Sequence, residues 1–363
     1  MTLRAAVVVP VSVRHDAISE SARSTLRMLH AEPGWTATLL TAAQEDPTAG
    51  TRIVDGPAEL LLDPAFRQAD VLIYHFGIYH SLFDTLPFGN ARARRIVRFH
   101  NITPAALVAP CSRGVIARSF RQLPLLNCAD AVWADSGENA SVLAKLGIGE
   151  GRVEVLPLAV DWPASGLLVA KPRNVIEALY VGRIVPSKGL RDLLEHWPLK
   201  ASLRLTVVGN AVYSDHDYVA LCLAIIADRG LESTVRILGT VSEQRLSRLY
   251  RESHILALPS YHEGFCKPVI EALRAGCVPV GYAAAAIPDT CGGLGRLVSP
   301  GDANALSAVL QTVACAMQAG RTLELDAGTM TIPAFDRAAQ ARAALFTTKR
   351  LGPETVARIR ALI

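Results

Sequence analysis

Residues Ile255 to Gly276 read ILALPSYHEGFCKPVIEALRAG and contain one strand, one loop and one helix in succession. The first four residues are an apolar run that ends at a proline, which is typical of a buried strand. A short polar loop follows, and apolar residues then recur at helical spacing until Gly276, where a helix would end. Two carboxylates stand here: Glu263 in the loop and Glu271 about two turns inside the helix. The pattern predicts one repeating unit of a parallel α/β sheet.

Other apolar runs of strand length alternate with helical segments on both sides of this unit. In the first half of the chain they are Ala5–Pro10, Thr36–Leu40, Val71–Tyr74, Arg95–Phe99, Ala131–Ala134 and Val153–Leu156. In the second half they are Ala178–Val181, Leu205–Val208, Val235–Leu238, Ile255–Leu258 and Val278–Val280. Alternation at this pitch predicts doubly wound parallel sheets.

The length of 363 residues favours two domains, each large enough for a core of its own. Residues 157–174 hold three prolines and show no periodicity, so they are the predicted connection. We predict an α/β protein with a first Rossmann-like domain over 1–160 and a linker over 161–174. A second Rossmann-like domain would cover 175–330, followed by helices over 331–363.

The formal charge of +4 is too small to indicate a nucleic-acid-binding protein. The basic excess is concentrated between Asp84 and Asp130, where the chain has no acidic residue. The arginines of this stretch are Arg92, Arg94, Arg95, Arg98, Arg113, Arg118 and Arg121. Each one alone is most simply a solvated surface residue, but as a group they suit contact with an anionic membrane surface or a phosphorylated acceptor.

The cysteines are scattered singly, at positions 111, 128, 222, 266, 277, 291 and 315. This spacing argues against structural zinc and against a disulfide framework, and it suits small buried residues in a reducing compartment. No signal peptide is evident, and the longest apolar run, Val219–Ala227, is too short to span a bilayer. We therefore expect a cytoplasmic protein, with peripheral contact at the inner face of the membrane as a further possibility.

The loop after Ala178–Val181 reads GRIVPSKG and opens a helix. Gly182 allows close approach of a backbone, while Arg183 and Lys188 supply positive charge for a diphosphate. Loops at the carboxyl ends of parallel strands are the usual ligand sites, so this loop and the one carrying Glu263 are the main candidates. Each residue also has a structural alternative, because basic loops are usually solvated and carboxylates near a helix N-terminus can simply complement its dipole.

The spacing of the two glutamates, within EGF-x-x-P-x-x-EA-x-x-x-G, resembles the signature of the family 4 (group 1) retaining glycosyltransferases. G-R followed by K-G at 182–189 resembles that family's second hallmark, and HNITP at 100–104 resembles a subgroup of it. The resemblance covers nearly the whole chain and is strongest over 178–302. It implies a GT-B fold, in which two Rossmann-like domains face a central cleft and the closing helix, here from Phe335 onward, crosses back to the first domain.

The resemblance also implies roles for the loop residues. Arg183 and Lys188 would hold the donor diphosphate and stabilise the leaving group. Glu271 would bond the ribose hydroxyls, and Glu263 the hydroxyls of the donor sugar. Backbone N–H groups would line the sugar and phosphate at Gly264, Phe265 and Cys266. The family usually has small or apolar residues after EGF, and Cys266 and Lys267 depart from that, so the donor sugar is not specified.

Histidines and an aspartate follow strands of the first half. His100 ends a strand, and its resemblance to the HNITP subgroup implies a hydrogen bond near the reacting sugar and not nucleophilic attack. His75, His15 and Asp16 would lie on the acceptor side. Each of these residues could equally serve as a helix cap or a core group.

Two further motifs are better explained without a cofactor. Asp215-His216-Asp217 looks like a metal-binding D-x-D, but its position immediately before a helix favours capping. The run 292–295 is not G-x-G-x-x-G and does not follow the first strand, which disfavours nicotinamide binding. We therefore expect no metal and no cofactor.

The predicted function is metal-independent, retaining transfer of a hexose from a nucleoside-diphosphate sugar to a glycan or lipid-linked acceptor, as in polysaccharide or cell-envelope glycan biosynthesis. One alternative is a glycoside hydrolase that uses Glu263 and Glu271 as acid and nucleophile. Another is a nucleotide-sugar-binding protein without turnover. A non-hydrolysing sugar-nucleotide epimerase would share the two-domain shape but should lack the paired glutamates.

Overall fold

The computed structural model describes residues 2–14, 16–45, 49–161, 171–200, 202–209 and 214–363. The chain divides into two compact units. The first unit comprises Met1–Ala105, Pro110–Ala159 and Phe346–Ile363, and the second comprises Ala106–Ala109 and Val160–Leu345. His15 and residues 162–170 of the predicted linker lie outside the described residues.

The first unit is built on a parallel sheet that has seven strands within the described residues. They are β1 (Leu3–Ser12), β2 (Trp35–Gln44), β3 (Thr51–Ile53), β4 (Val71–Phe76), β5 (Arg94–Phe99), β6 (Ala131–Ala134) and β7 (Val153–Val155). Their order in the sheet is β3-β2-β1-β4-β5-β6-β7. This is the doubly wound order of a Rossmann fold, with the order reversing between β1 and β4.

Helices connect these strands and cover the sheet. They are α1 (Ala17–His30), α2 (Pro57–Leu62), α3 (Pro64–Arg67), α4 (Arg113–Gln122) and α5 (Gly137–Lys145). The core of the unit contains Val7 and Val9 of β1, packed with Leu26 and Leu29 of α1. Continuous burial along β1 and β4 explains why the sequence shows these strands as uninterrupted apolar runs.

The second unit has a parallel sheet with the same topology. Its strands are β8 (Ile176–Val181), β9 (Leu203–Val208), β10 (Val235–Ile237), β11 (Ile255–Leu258), β12 (Val278–Tyr282) and β13 (Arg296–Val298). They lie in the order β10-β9-β8-β11-β12-β13. A separate antiparallel hairpin is formed by β14 (Leu323–Leu325) and β15 (Gly328–Met330). The prediction of two Rossmann-like parallel sheets is confirmed.

The helices of the second half alternate with these strands. They are α6 (Leu190–Glu195), α7 (His216–Asp228), α8 (Glu243–Glu252), α9 (Lys267–Arg274), α10 (Ile287–Cys291), α11 (Ala303–Gln318) and α12 (Ile332–Ala344). The last helix, α13 (Thr348–Leu362), belongs to the first unit, where Val356 and Ile359 are in the core. Phe335 of α12 is in the core of the second unit, and the chain belongs to the first unit from Phe346 onward.

Every strand predicted from the sequence is present, but short strands were missed. They are β3, β13 and the hairpin. The residues of β3 and β13 are half-buried or exposed, because both strands lie at the edge of their sheet. β3 and β13 pack few apolar side chains and therefore leave no clear apolar run in the sequence, unlike the edge strands β7 and β10, which were predicted. No helix within the described part of the chain is both long and apolar enough to cross a membrane.

Candidate functional site

The helix α9 starts with an unusual backbone conformation. Its N-cap residue, Cys266, has φ 68° and ψ 66°, in the left-handed region that non-glycine residues rarely occupy. Phe265 and Cys266 are both buried, and Pro268 lies in the first turn. Because the helix begins at Lys267, Glu271 stands about one turn inside it, and the sequence-based estimate of two turns was wrong.

Lys188 and Glu263 form an ion pair in the second unit. The distance from Lys188 Nζ to Glu263 Oε1 is 2.5 Å, and the side chains are 19% and 12% exposed. Lys188 ends the short 3₁₀ turn after β8, and Glu263 lies in the loop after β11. These strands are neighbours in the sheet, so their carboxyl ends bring the two sequence motifs together.

The two loops also touch through their backbones. Gly189 has φ 65°, and a Cβ at this position would lie 1.9 Å from the carbonyl oxygen of Pro259. The Tyr261 N–H donates a hydrogen bond of 2.9 Å to the Ser187 carbonyl. Only glycine permits this approach, which explains why the lysine of the first loop is followed by Gly189.

Glu271 is held by a buried tyrosine of α8. The Tyr250 hydroxyl donates a hydrogen bond of 2.8 Å to Glu271 Oε2. Burial, followed by the charge of Glu271, raises the pKa of Tyr250 well above its ordinary value, so the phenol keeps its proton. Glu271 Oε1 has no hydrogen-bond partner in the described part of the chain.

Arg183 is exposed, and its guanidinium has no ion-pair partner among the residues that the structure describes. Its carbonyl accepts a hydrogen bond of 3.0 Å from the Tyr180 hydroxyl, which fixes the start of the loop. Gly182 lies beside the loop after β9, since a Cβ on Gly209 would be 2.7 Å from the Gly182 carbonyl oxygen. A Cβ on Gly182 itself would lie 3.9 Å from the Tyr180 hydroxyl, and the close approach of a ligand at Gly182 stays a prediction.

Sequence reasoning missed an aspartate behind these loops. Asp192 Oδ2 on α6 accepts hydrogen bonds from the hydroxyls of Tyr282, at 2.8 Å, and Tyr261. Burial and then the hydrogen bond to Asp192 raise the pKa of Tyr261 to about 12. The cluster ties α6, which begins directly after Gly189, to the loop that carries Glu263. The signal in the sequence was a carboxylate in the first turn of the helix opened by the lysine loop.

A row of polar side chains lies at the carboxyl ends of β4, β5 and β6 in the first unit. His75 Nδ1 is hydrogen-bonded to His100 Nε2 at 3.0 Å, and the rings stack with centroids 5.3 Å apart. His100 Nδ1 donates to Asp135 Oδ2 at 2.6 Å, because a carboxylate can only accept. Both ring nitrogens of His100 are thus engaged, and its side chain is 4% exposed.

A buried arginine completes this row. Arg98 Nε donates to Asp135 Oδ1 at 2.8 Å, and Arg98 Nη2 donates to the carbonyls of Leu156 and Pro157, each at 2.7 Å. Burial, His100 and Arg98 together hold the pKa of His75 well below its ordinary value. Neither Arg98 nor Asp135 was singled out from the sequence as a site residue. Asp135 directly follows a strand, and that position was the available signal.

The remaining predicted polar residues have structural partners. Asp16 caps α1, because its Oδ2 accepts from the Ser19 N–H at 2.8 Å and from the Ser19 hydroxyl at 2.7 Å. Asp215 caps α7 by accepting from the Tyr218 N–H at 3.1 Å, as predicted. Because His15 lies outside the described residues, the structure gives it no position.

The arginine-rich stretch does not form one surface. Arg92 pairs with Asp70, Arg94 and Arg95 approach Asp130, and Arg98 is buried against Asp135. Arg118 of α4 stacks over the Tyr79 ring at 4.5 Å. Arg113 and Arg121 are exposed and, within the described ranges, have no ion-pair partner.

Residues 169–314 match the family model described as Glycosyl transferases group 1. This range contains β8 to β13 and includes Lys188, Glu263 and Glu271. The chain carries a group 1 glycosyltransferase domain. The two loops joined by the Lys188–Glu263 pair are therefore parts of this domain. Membership of family 4 and of the HNITP subgroup stays a prediction.

Curated relatives match part of the chain. The O-antigen chain mannosyltransferase B of Escherichia coli is 31% identical over 141 residues, which is 38% of this chain and 36% of that protein. The MMP alpha-(1->4)-mannosyltransferase of Mycolicibacterium hassiacum is 29% identical over 199 residues, covering 53% of this chain and 46% of that protein. The chain thus spans less than half of the length of these relatives.

Solved structures match the whole chain in fold. Sucrose-phosphate synthase from Thermosynechococcus elongatus superposes with a TM-score of 0.77, at 19% identity and over 99% of both chains. Anabaena HepE in complex with UDP-glucose gives a TM-score of 0.75, at 16% identity and over 99% of this chain and 100% of that one. The fold is that of the GT-B glycosyltransferases, as the sequence resemblance implied.

Proposed function

We propose that this protein is a retaining, metal-independent glycosyltransferase that uses a nucleoside-diphosphate-sugar donor. The observation that carries the proposal is the Lys188–Glu263 pair, which lies with Glu271 within a group 1 glycosyltransferase domain. A basic group for a diphosphate and two carboxylates for hydroxyls are the groups that such a donor requires. A glycoside hydrolase would have no use for the lysine.

Different polar groups of the domain would bind different parts of the donor. Lys188 and Arg183 would bind the diphosphate, with the N–H groups of Gly264, Phe265 and Cys266 lining phosphate and sugar at the start of α9. Glu263 would accept from the sugar hydroxyls. Glu271 would accept from the ribose hydroxyls through Oε1, because Tyr250 already occupies Oε2.

Charge stabilisation on the leaving group would be the main catalytic contribution. The bond between the anomeric carbon and the diphosphate oxygen breaks, and the acceptor hydroxyl forms the new bond on the same face. The hydroxyl proton passes to the departing diphosphate oxygen, and Lys188 and Arg183 stabilise the negative charge that develops there. This course retains the anomeric configuration without an enzymatic nucleophile.

The acceptor would be a glycan or a lipid-linked glycan, in line with the name of the Escherichia coli relative. Of the residues predicted in the first half, His100, His15 and Asp16 stay candidates for its binding, and the fully buried His75 would position His100. Among the arginines, Arg113 and Arg121 on α4, together with the exposed Phe120, would supply peripheral contact with an anionic membrane from the cytoplasmic side.

The test is a thermal-shift panel of UDP, GDP and ADP with their sugar nucleotides, each with and without EDTA. A ligand at a hundred times its dissociation constant adds about 2.7 kcal/mol to stability, which is readily measured. We expect one base to stabilise the protein and EDTA to leave the shift unchanged. No shift with any nucleotide would contradict the proposal, and sugar release without an acceptor product would favour the hydrolase.

The same panel separates an enzyme from a binding protein when it is followed by single-turnover incubation. The donor that stabilises the protein is mixed with excess protein and a glycan or lipid-linked acceptor, and the anomeric configuration of the product is read by NMR. Binding without any product over many hours would favour the nucleotide-sugar-binding protein.

A further inference from the structure

The side chains of Lys188 and Glu263 form an ion pair with each other. Their side-chain atoms are 2.5 Å apart and mostly shielded from water. Among the residues that the structure describes, neither side chain has another hydrogen-bond or ion-pair partner. The ammonium of Lys188 has three N–H donors, so a phosphate can also reach it, but that phosphate then competes with Glu263 for the positive charge and weakens their pair.

Glu263 has little freedom to move away when that happens. Its carbonyl accepts a hydrogen bond of 3.2 Å from the Ala286 N–H, and the Tyr261 N–H is bonded to the Ser187 carbonyl. Tyr261 is also anchored by its hydroxyl to Asp192. The backbone of the loop is thus held on both sides of the carboxylate, and a displaced Glu263 would stay near the ligand.

An unpaired carboxylate in this position is unfavourable. It is mostly buried, and a half-desolvated charge without a partner costs free energy. A diphosphate at Lys188 would also place a second negative charge beside it. The ribose hydroxyls of a free nucleoside diphosphate are assigned to Glu271, so this ligand leaves Glu263 without a donor, whereas a sugar nucleotide brings sugar hydroxyls that can donate to it.

We propose that the Lys188–Glu263 pair selects sugar nucleotides against free nucleoside diphosphates, because only the former replace both partners at once. This inference rests on the proposed function and concerns the same site. Glu263 is then a specificity-determining residue that excludes the product as well as a residue that binds the sugar. After transfer, Glu263 returns to Lys188 and displaces the diphosphate, which favours product release.

The experiment compares dissociation constants by calorimetric titration of the wild type and Glu263→Gln. The probes are UDP against UDP-glucose and GDP against GDP-mannose. The neutral amide fills the same space but removes the charge that competes for Lys188, so UDP or GDP should bind about tenfold more tightly. The preference for the sugar nucleotide should shrink accordingly, and product inhibition should become stronger.

Glu195→Gln is the matched control. It removes one negative charge from the same unit, at an exposed ion pair with Arg191 on α6. Its dissociation constants for the free nucleoside diphosphates and for the sugar nucleotides should equal those of the wild type. Glu263→Ala serves as a second variant, and it should also tighten binding of the free diphosphate because it too removes the competing charge.

Three outcomes separate the inference from the proposed function. Tighter diphosphate binding in both Glu263 variants supports the inference. Nucleotide binding that is unchanged or weaker in these variants overturns the inference alone and leaves the proposed function standing. Failure of the wild type to bind UDP, GDP, ADP or any of their sugar nucleotides overturns both.

Discussion

His75 illustrates how a residue can be placed near a candidate site and yet be closed to ligands. It is fully buried, and its two ring nitrogens face His100 Nε2 at 3.0 Å and the Thr25 hydroxyl at 3.4 Å. The row that continues through Asp135 to Arg98 satisfies polar groups that would otherwise be costly inside the unit. His75 is therefore shielded from solvent and orients His100.

The pH dependence of stability should report on His75. Its pKa in the folded protein is far below 6.5, because burial and then the neighbours His100 and Arg98 disfavour the imidazolium. Below about pH 6.5 the unfolded chain binds a proton at this residue that the folded protein does not, so stability is lost as the pH falls. Above about pH 6.5, neither state is protonated at His75, and its neutral form contributes its full share to the stability.

His75→Asn should flatten this dependence, since its amide can replace Nδ1 but cannot titrate. We expect the slope of the unfolding free energy against pH, between about 6.5 and 5, to decrease by up to about 1.4 kcal/mol per pH unit. Denaturant titrations at several pH values measure it. His254, whose pKa burial lowers to about 4, keeps its own contribution and serves as an internal reference. An identical slope in the variant would show that His75 does not cause this part of the pH dependence.

At the scale of elements, the site depends on how closely two strand-end loops approach each other. The loop after β8 passes Pro259 at a distance that only a glycine allows. Tyr261, in the loop after β11, is also anchored through its hydroxyl to Asp192 on α6, the helix that begins directly after Gly189. Together these contacts bring Lys188 and Glu263 to 2.5 Å although they are 75 residues apart in the chain.

Gly189→Ala should therefore disrupt the second unit and the ion pair together. A Cβ would clash with the Pro259 carbonyl at 1.9 Å, and the left-handed φ of 65° adds strain. Gly230→Ala is the matched control, since φ is 62° there but the space is open. We expect the control to cost about 1–2 kcal/mol and Gly189→Ala clearly more, as measured by denaturant unfolding. Equal losses of unfolding free energy in the two variants would show that the loop can shift to accept the Cβ.

At the scale of the whole molecule, the chain ends in the unit with which it began. Helix α13 places Val356 and Ile359 in the core of the first unit, beside residues of α1. The first unit therefore cannot complete its core until the second has been synthesised. The group 1 glycosyltransferase domain in the second unit has a core of its own.

Ile359→Ala should lower the stability of the first unit by about 2–5 kcal/mol, because it deletes a fully buried side chain. The binding of nucleotides, which we assign to the second unit, should persist at temperatures where the variant is folded. Ile363→Ala, at a position that is 46% exposed, is the control and should change stability little. Unfolding by denaturant and calorimetric titration measure the two properties. A small effect of Ile359→Ala would contradict the role of α13.

Apolar patterning in the sequence determined both sheets, because a strand buried on two faces must be apolar along its length. Motif spacing likewise singled out Lys188, Glu263 and Glu271 as candidates, and the first two meet because neighbouring strand ends of a parallel sheet share one edge. The edge strand β3 escaped detection because its residues are half-buried or exposed and need not be apolar.

Only the tertiary structure decided which polar groups meet. The pairing of Lys188 with Glu263, the Tyr250 bond to Glu271 and the burial of Arg98 against Asp135 all join residues distant in the chain. Local propensity acts over a few residues and carries no information on such contacts. A surface arginine and a buried one look alike in sequence, because the difference lies in the partners that folding brings to them.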